Sequence, residues 1–256
     1  MNLADIKKTV YFFRRNGLKK TWYAVRERLD ERKEPRYEWI PPTEAELEAQ
    51  RGHWEEASFS VTFSILTPAY KTAEKYLREL IDSLQQQTYP KWELILADAT
   101  EDDSVKQVAE TIQDARIRYI AGNTNQALIY AAGDYVGLLD HDDVLTENAL
   151  YEMAAQIEQG KKQGCGLQML YSDEDKCNGD GTIYFDPNKK EDFNLDLLLS
   201  NNYVCHFLVM KRELIQKLGF RAEYEGAQDY DLVLRSVAEL RKREETIVHI
   251  PKVLYH

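Results

Sequence analysis

From residue 61 onward, apolar and polar positions alternate between two periods. Short apolar runs read as buried strands, and apolar residues every third or fourth position read as helices packed on one face. The first predicted strand covers 61–66 and ends on Thr67-Pro68-Ala69-Tyr70. Leu77, Leu80, Ile81 and Leu84 then mark the inner face of a helix over 73–87. A second strand, 92–97, ends on Asp98, and a helix over 105–112 and a strand over 116–120 follow. Asn123 is placed to cap a helix running to Ala132. The next apolar run, Tyr135 to Leu139, stops on three acids, Asp140, Asp142 and Asp143. Beyond it the pattern predicts a helix with Leu150, Met153, Ala154 and Ile157 inward and Gly160 at its end. It then predicts a strand over 167–171 running into Ser172-Asp173-Glu174-Asp175, and a turn at 178–181. A strand over 206–211 leads to a helix capped by Gly219, and a further helix opens at 225–232 and runs through Leu240. The last strand covers 247–255 and is followed by His256.

Strand and helix in alternation predict an α/β fold with a mainly parallel, Rossmann-like sheet flanked by helices. In such a sheet, ligands bind outside the carboxyl ends of the strands. The pattern delivers Asp98, Asp140 and Asp142 to that one edge. Adjacent carboxylates repel unless a cation or hydrogen-bond donors compensate, and oxygen ligands suit Mg2+ or Mn2+. Two readings of the acids stand side by side here. Asp140 and Asp142 hold a metal that grips a diphosphate, or Asp142 and Asp143 cap the following helix.

Residues 1–60 follow a different pattern. Ile6, Val10, Phe13, Leu18, Trp22 and Val25 recur at near-helical spacing among ten Lys and Arg residues within 1–33, with Gly17 as a break. This small helical extension suits either an anionic membrane surface or packing on this chain or a partner. Thr43-Glu44-Ala45-Glu46 fits a capping box at the start of a short helix inside a linker, 34–60. The expected domains are therefore 1–60, a basic helical extension with linker, and 61–256, the main domain.

The net charge of −11 argues against a nucleic-acid partner, while leaving room for a nucleotide whose charge a divalent metal offsets. Cys165, Cys177 and Cys205 are odd in number and lack metal-ligand spacing, so they are expected to be reduced. No run approaches ~18 apolar residues, and no signal-peptide core stands at the N-terminus. The expected location is the cytoplasm, with the inner face of the plasma membrane as the place where the basic segment would act.

Several of these stretches together resemble a family. Ile65-Leu66-Thr67-Pro68-Ala69-Tyr70, Gln87-Thr88-Tyr89-Pro90 with Glu93-Leu94-Ile95, and Asp98 are similar to the nucleotide half of inverting family-two glycosyltransferases of the GT-A fold. Asn123-Thr124-Asn125 with Ala132-Gly133-Asp134-Tyr135, Asp140-His141-Asp142, and Gln228-Asp229-Tyr230-Asp231-Leu232 with Arg235 resemble that family's approach, metal motif and base motif. Tyr171-Ser172-Asp173-Glu174-Asp175-Lys176 and Asn202-Tyr203-Val204-Cys205-His206 resemble the branch that builds bacterial surface polysaccharides. Two features depart from the pattern. Only Ala121 and Gly122 separate Ile120 from Asn123, where a longer loop is usual, and Gln228 stands where many relatives have Glu.

The resemblance implies transfer of a sugar from a UDP-, GDP- or TDP-linked donor to a hydroxyl of a saccharide or lipid-linked saccharide, in cell-surface polysaccharide synthesis. It implies Asp229 as general base. Thr67, Pro68, Ala69, Tyr70, Asp98, Asn125, Asp140 and His141 are implied at the nucleotide and donor, and Asp140, Asp142 and His256 at Mn2+ or Mg2+. Asp229 also suits a helix cap, and His256 an ordinary strand end. Asp173 and Asp175 suit either the site or a solvated loop, and His206 is expected to be structural. Other classes remain at this stage: a catalytically silent nucleotide-binding scaffold within a larger polysaccharide enzyme, and a nucleotidyltransferase. The latter wants a glycine-rich phosphate loop, which Thr67-Pro68-Ala69-Tyr70-Lys71 does not supply. A glycosidase needs two facing carboxylates but no nucleotide.

Overall fold

The computed structural model describes residues 11–13, 15–17, 19–23, 37–240 and 246–256. The chain divides into two compact units, Met1–Glu38 and Trp39–His256. In the smaller unit, the described residues between 11 and 23 are helical, and Gly17 has φ +78°. Ile6, Val10, Leu18 and Val25 of the predicted amphipathic pattern, and most of its basic residues, lie outside the described residues.

The larger unit opens with α1 (Glu44–Glu56), and Thr43 and Glu46 close the reciprocal capping box over its first turn. This helix is no part of a free linker. Leu47 is buried, and Gln50 accepts a 2.9 Å bond from Thr88. The apolar face of α1 needed a partner, and the main body supplies it.

The elements then run β1 (Phe63–Ala69), α2 (Glu74–Gln85), β2 (Trp92–Asp98), α3 (Ser104–Thr111), β3 (Ile117–Ala121), α4 (Thr124–Leu128) and β4 (Tyr135–Leu138). After these come α5 (Ala149–Lys162), β5 (Met169–Cys177), β6 (Tyr184–Asn188), α6 (Leu195–Ser200), β7 (Leu208–Lys211), α7 (Arg212–Leu218), α8 (Gln228–Leu240) and β8 (Ile247–Tyr255). One sheet carries all eight strands in the order β3-β2-β1-β4-β7-β5-β6, with β8 paired to β5. The first four strands are parallel, as is β5 with β8, whereas β7 runs antiparallel to β4 and β5, and β6 antiparallel to β5.

Successive strand residues point to opposite faces, and the two faces are both covered. Phe63 and Ile65 belong to the cluster with Leu77, Leu80 and Leu84 of α2 and Leu150 and Met153 of α5. Leu66, Val136 and Leu138 belong to the cluster with Leu232, Val233 and Val237 of α8. Full burial of each such side chain contributes about 1.5–3 kcal/mol. Close approach at the centre is possible because Gly133 has no Cβ. One built there would stand 2.6 Å from the backbone of Phe63 and Ser64.

Three local expectations are corrected. Gly160 lies inside α5 rather than at its end, packed where a side chain would meet Leu167 and the Cys165 carbonyl at 2.9 and 3.0 Å. β6 and α6 form where the pattern predicted nothing. The helix after the acids starts at Ala149 with Asn148 before it, so Asp142 and Asp143 do not cap it.

Candidate active site

Register fixes what meets at the carboxyl edge of the parallel strands. Ala69 stands opposite Asp98, and Leu66 opposite Leu138, so the ends of β1, β2 and β4 lie along one edge. Leu208 of antiparallel β7 also faces Leu138, which brings residues 202–206, just ahead of β7, to the same edge.

At the β1–β2 end, Asp98 is buried. Its Oδ1 accepts from the Thr100 N–H at 2.9 Å and its Oδ2 from the Tyr119 hydroxyl at 2.9 Å. Thr67 is fully buried and its Oγ1 has no hydrogen-bond partner, while Pro68 is half-buried, Ala69 buried and Tyr70 exposed. This half of the edge therefore has a fixed carboxylate, a hydroxyl without a partner and an exposed aromatic ring, over which Lys71 Nζ lies at 5.1 Å.

The acid loop follows β4. Tyr255, at the end of β8, reaches under it and donates to Asp143 Oδ2 at 2.6 Å while accepting from the Asp140 N–H at 3.3 Å. Burial pushes the Asp143 carboxyl up to about 6. The Tyr255 hydroxyl opposes that shift, and the charges of Asp140 and Asp142 add to it. The Tyr255 ring stacks on His206 at 5.2 Å and on Phe207 at 6.2 Å. His206 Nε2 in turn lies 3.7 Å from Asp140 Oδ2. His206 thus belongs to the site rather than to the scaffold alone. His141 Nδ1 lies 3.7 Å from Asp142 Oδ1.

His256 is buried, and its Nδ1 bonds Asp175, whose side chain is wholly buried. A carboxylate only accepts, so Nδ1 carries the proton, and in the neutral ring Nε2 presents a lone pair. That Nε2 is buried without a partner. Asp173 is likewise engaged, accepting from His249 at 2.7 Å and from the Lys190 N–H at 2.9 Å. Both Asp173 and Asp175 are therefore buried and fixed rather than in a solvated loop, and Asp175 lines the cleft described below.

Asp229 sits in the first turn of α8 and accepts from Asn202 Nδ2 at 2.8 Å. Cys205 is buried beside it. Burial, and then the Asp229 charge, hold that thiol well above its ordinary range. The position of α8 is set by Asp231, which is buried and accepts from Arg221 at 3.0 Å and from Arg235 at 2.8 Å. Arg235 also donates to the Leu218 and Gly219 carbonyls. Asn125, expected at the donor, instead donates to the Phe220 carbonyl at 2.7 Å and accepts from its N–H at 2.8 Å. Its amide braces α4 against the loop after α7 and is not free for a ligand.

A cleft of about 920 Å³ runs beside the acid loop, lined among others by Asp142, Asp143, Asp175, His206, Tyr255 and His256. Thr67–Tyr70 and Asp98 lie outside this cleft, further along the same edge. Of the buried side-chain polar atoms without a partner among the described residues, five belong to residues along this edge, Thr67 Oγ1, His141 Nδ1, Asn202 Oδ1, His206 Nδ1 and His256 Nε2, and the last two line the cleft. Native structures leave few such atoms, and each calls for an account, whether a water, an ion, a ligand or a catalytic role. Among the described residues, no three His, Cys, Asp or Glu side chains already form a metal cage. Mg2+ and its relatives are commonly held by one or two carboxylates together with substrate phosphates, without such a cage. Tyr255 carries no chemistry-bearing motif of its own, and the stretch that holds Asn202 resembles the family without giving Asn202 a partner; the strand end and the loop that deliver them supply the contacts.

The family model for glycosyl transferase family 2 matches residues 64–219, so Asp229 and His256 lie beyond the matched span. The chain is 35% identical over 208 residues to the O-antigen biosynthesis protein RfbC of Myxococcus xanthus, covering 75% of this chain and 15% of that protein. It is 30% identical over 180 residues to the UDP-Glc:alpha-D-GlcNAc-diphosphoundecaprenol beta-1,3-glucosyltransferase WfgD of Escherichia coli, covering 67% of this chain and 68% of that one. The first relatives are far longer, and the chain spans 22% and 15% of their lengths. In fold it is similar to a mannosyltransferase of Pyrobaculum calidifontis solved with GDP-Man and Mn2+, with a TM-score of 0.54 at 17% identity over 98% of this chain and 64% of that one. A match over more than half of the chain, with the strand order and acid loop described above, leads to one conclusion: this chain belongs to glycosyl transferase family 2.

Proposed function

We propose that the chain transfers a sugar from a nucleoside-diphosphate sugar to an acceptor hydroxyl, with inversion, in the synthesis of a bacterial surface polysaccharide. One observation carries this: carboxylates from β2, the β4 loop and α8 lie on one sheet edge beside five buried polar atoms without partners. Thr67–Tyr70 and Asp98 would take the nucleoside. Asp140, Asp142 and His256 suit a divalent cation, because the Asp175 bond leaves His256 Nε2 with a lone pair and no partner. Bound there, Mn2+ or Mg2+ would offset the charge that builds on the leaving diphosphate. The relatives' donors, UDP-Glc and GDP-Man, differ in base, so the donor class is the nucleoside diphosphate itself.

Asp229 accepts the proton of the attacking hydroxyl, a role worth about 10²–10⁴-fold in rate. Asn202 orients its carboxylate. A single base with in-line attack inverts the anomeric centre. No helix of the described residues is long and apolar enough to cross a membrane. Residues 1–33, with their excess of Lys and Arg, would bring the chain to an anionic membrane surface where a lipid-linked acceptor is held.

The test is a thermal-shift screen of UDP-, GDP- and TDP-sugars with Mn2+, followed by turnover of the best donor. Asp142→Asn should lose metal-dependent turnover, and Asp229→Asn should keep the donor-induced shift and lose transfer. A donor shift without turnover in the parent chain would instead identify a silent scaffold, and full activity in Asp229→Asn would remove it as the base.

A further inference from the structure

Residues 201–207, which precede β7, have no helix or strand of their own. Their backbone groups still need partners, and two charged side chains supply them. The Lys190 side chain is wholly buried, 0% exposed. It points its three donors at Glu174 Oε2 at 3.2 Å, at the Val204 carbonyl at 3.4 Å and at the His206 carbonyl. Glu174 accepts the His206 N–H on that same oxygen and Asn188 Nδ2 on the other at 2.9 Å. The backbone of Lys190 is itself fixed, its N–H donating to Asp173 Oδ1. Residues 204–206 are thus held by a carboxylate on one backbone donor and an ammonium on two carbonyls.

This clamped segment touches the site at both ends. Asn202 donates to Asp229, and His206 faces Asp140 at 3.7 Å. Cys205 packs beside Asp229 as well. Accepting the transferase reading above, we infer that Lys190 is a positioning residue: with Glu174 it fixes residues 204–206 and thereby the spacing between Asp140 and Asp229. A buried ion pair is weak evidence for stability, because desolvating both ions offsets most of their attraction. What this one supplies is geometry. A displacement of about 1 Å between a base and a bound donor costs on the order of 10²-fold in rate.

The experiment compares the full chain with Lys190→Met, Lys190→Arg and the double variant Glu174→Gln with Lys190→Met. The double variant leaves no unpaired buried charge, the main cost of Lys190→Met alone, and a thermal melt of each variant verifies folding before the other readouts are compared. Backbone amide exchange at 204–207 and steady-state turnover are read on each. The expected result is faster exchange at 204–207 and kcat lowered about 10²-fold in the double variant, with donor KM unchanged and partial recovery in Lys190→Arg. An active parent chain whose double variant keeps its kcat, keeps its exchange protection, or loses activity through KM alone would overturn the positioning role and leave the transferase reading standing. A parent chain that turns over no donor would overturn that reading and the positioning role together.

Discussion

Replacing Tyr255 by Phe removes one oxygen and leaves the ring on His206 and Phe207. The lost hydroxyl donates to Asp143 at 2.6 Å and accepts from the Asp140 N–H at 3.3 Å. A hydrogen bond to a charged group contributes about 1.5–3 kcal/mol. The N–H bond is long and adds little. In a folded unit of this size, 1 kcal/mol moves the melting temperature by about 2–4 °C. Tyr255→Phe should therefore lower it by about 3–12 °C in the ligand-free chain. The assay is thermal and urea unfolding of the parent, Tyr255→Phe, Asp143→Asn and the double variant. If the hydroxyl and the carboxylate act on each other, the four proteins give a coupling energy of at least about 1.5 kcal/mol. Additivity within about 0.5 kcal/mol would refute the claim that Tyr255 holds the acid loop through Asp143. Because the ring stays in place, the same variant should lower kcat through the loosened Asp140 rather than by unfolding the site.

Three further outcomes are expected. Gly133→Ala should cost about 3 kcal/mol, since its Cβ meets two backbone atoms of β1 at 2.6 Å; a melt within about 1 °C of the parent would contradict the close approach. Asn125→Ala should cost about 1–2 kcal/mol for its two bonds to Phe220 while leaving donor KM unchanged, and a raised KM would return Asn125 to the donor site. Asp231 is held below the ordinary carboxylate range by Arg221 and then Arg235, so the unfolded chain binds its proton more readily than the folded one. Its contribution is present above the ordinary carboxylate value, about 3.9, and is lost as pH falls through the lower folded value. Acid titration of stability should be shallower in Asp231→Asn, and parallel curves would remove Asp231 from the acid response.

The parts of this fold that were legible in the chain are those decided locally. β1, β2 and β4 declare themselves by apolar runs, and the acids at the ends of β2 and β4 need only the rule that parallel strands share an edge. The capping box at Thr43 and the cap at Asn123 formed as their residue types require, though the helix after Asn123 ends at Leu128 rather than at Ala132. What could not be read was decided at a distance. β6 contains Pro187 and is largely exposed, so it lacks the burial pattern that marks a strand. The antiparallel direction of β7 depends on the path through α6, which is six residues long and carries no period. Gly160 reads as a stop until Leu167 is seen packed against it. His206 stands in the family-like stretch 202–206, but that resemblance names no partner for it, and Asp140 reaches it only through the pairing of β4 with β7. Asn125 shows the converse, since a motif resemblance placed it at the donor and tertiary contacts engage its amide elsewhere.

The pairing of β8 with β5 also bears on how the molecule is made. Met169 meets Ile247 in that ladder, so the contact closes a long loop of chain, and contacts so distant in sequence form slowly. The β1–β2–β3 ladder joins near neighbours and should be in place first. Until β8 docks, the acid loop lacks the Tyr255 hydroxyl, and Asp175 lacks the imidazole of His256. A half-folded chain would therefore carry the β1–β2 edge with its acid loop still unbraced, and completion of the candidate site would wait on its slowest ladder.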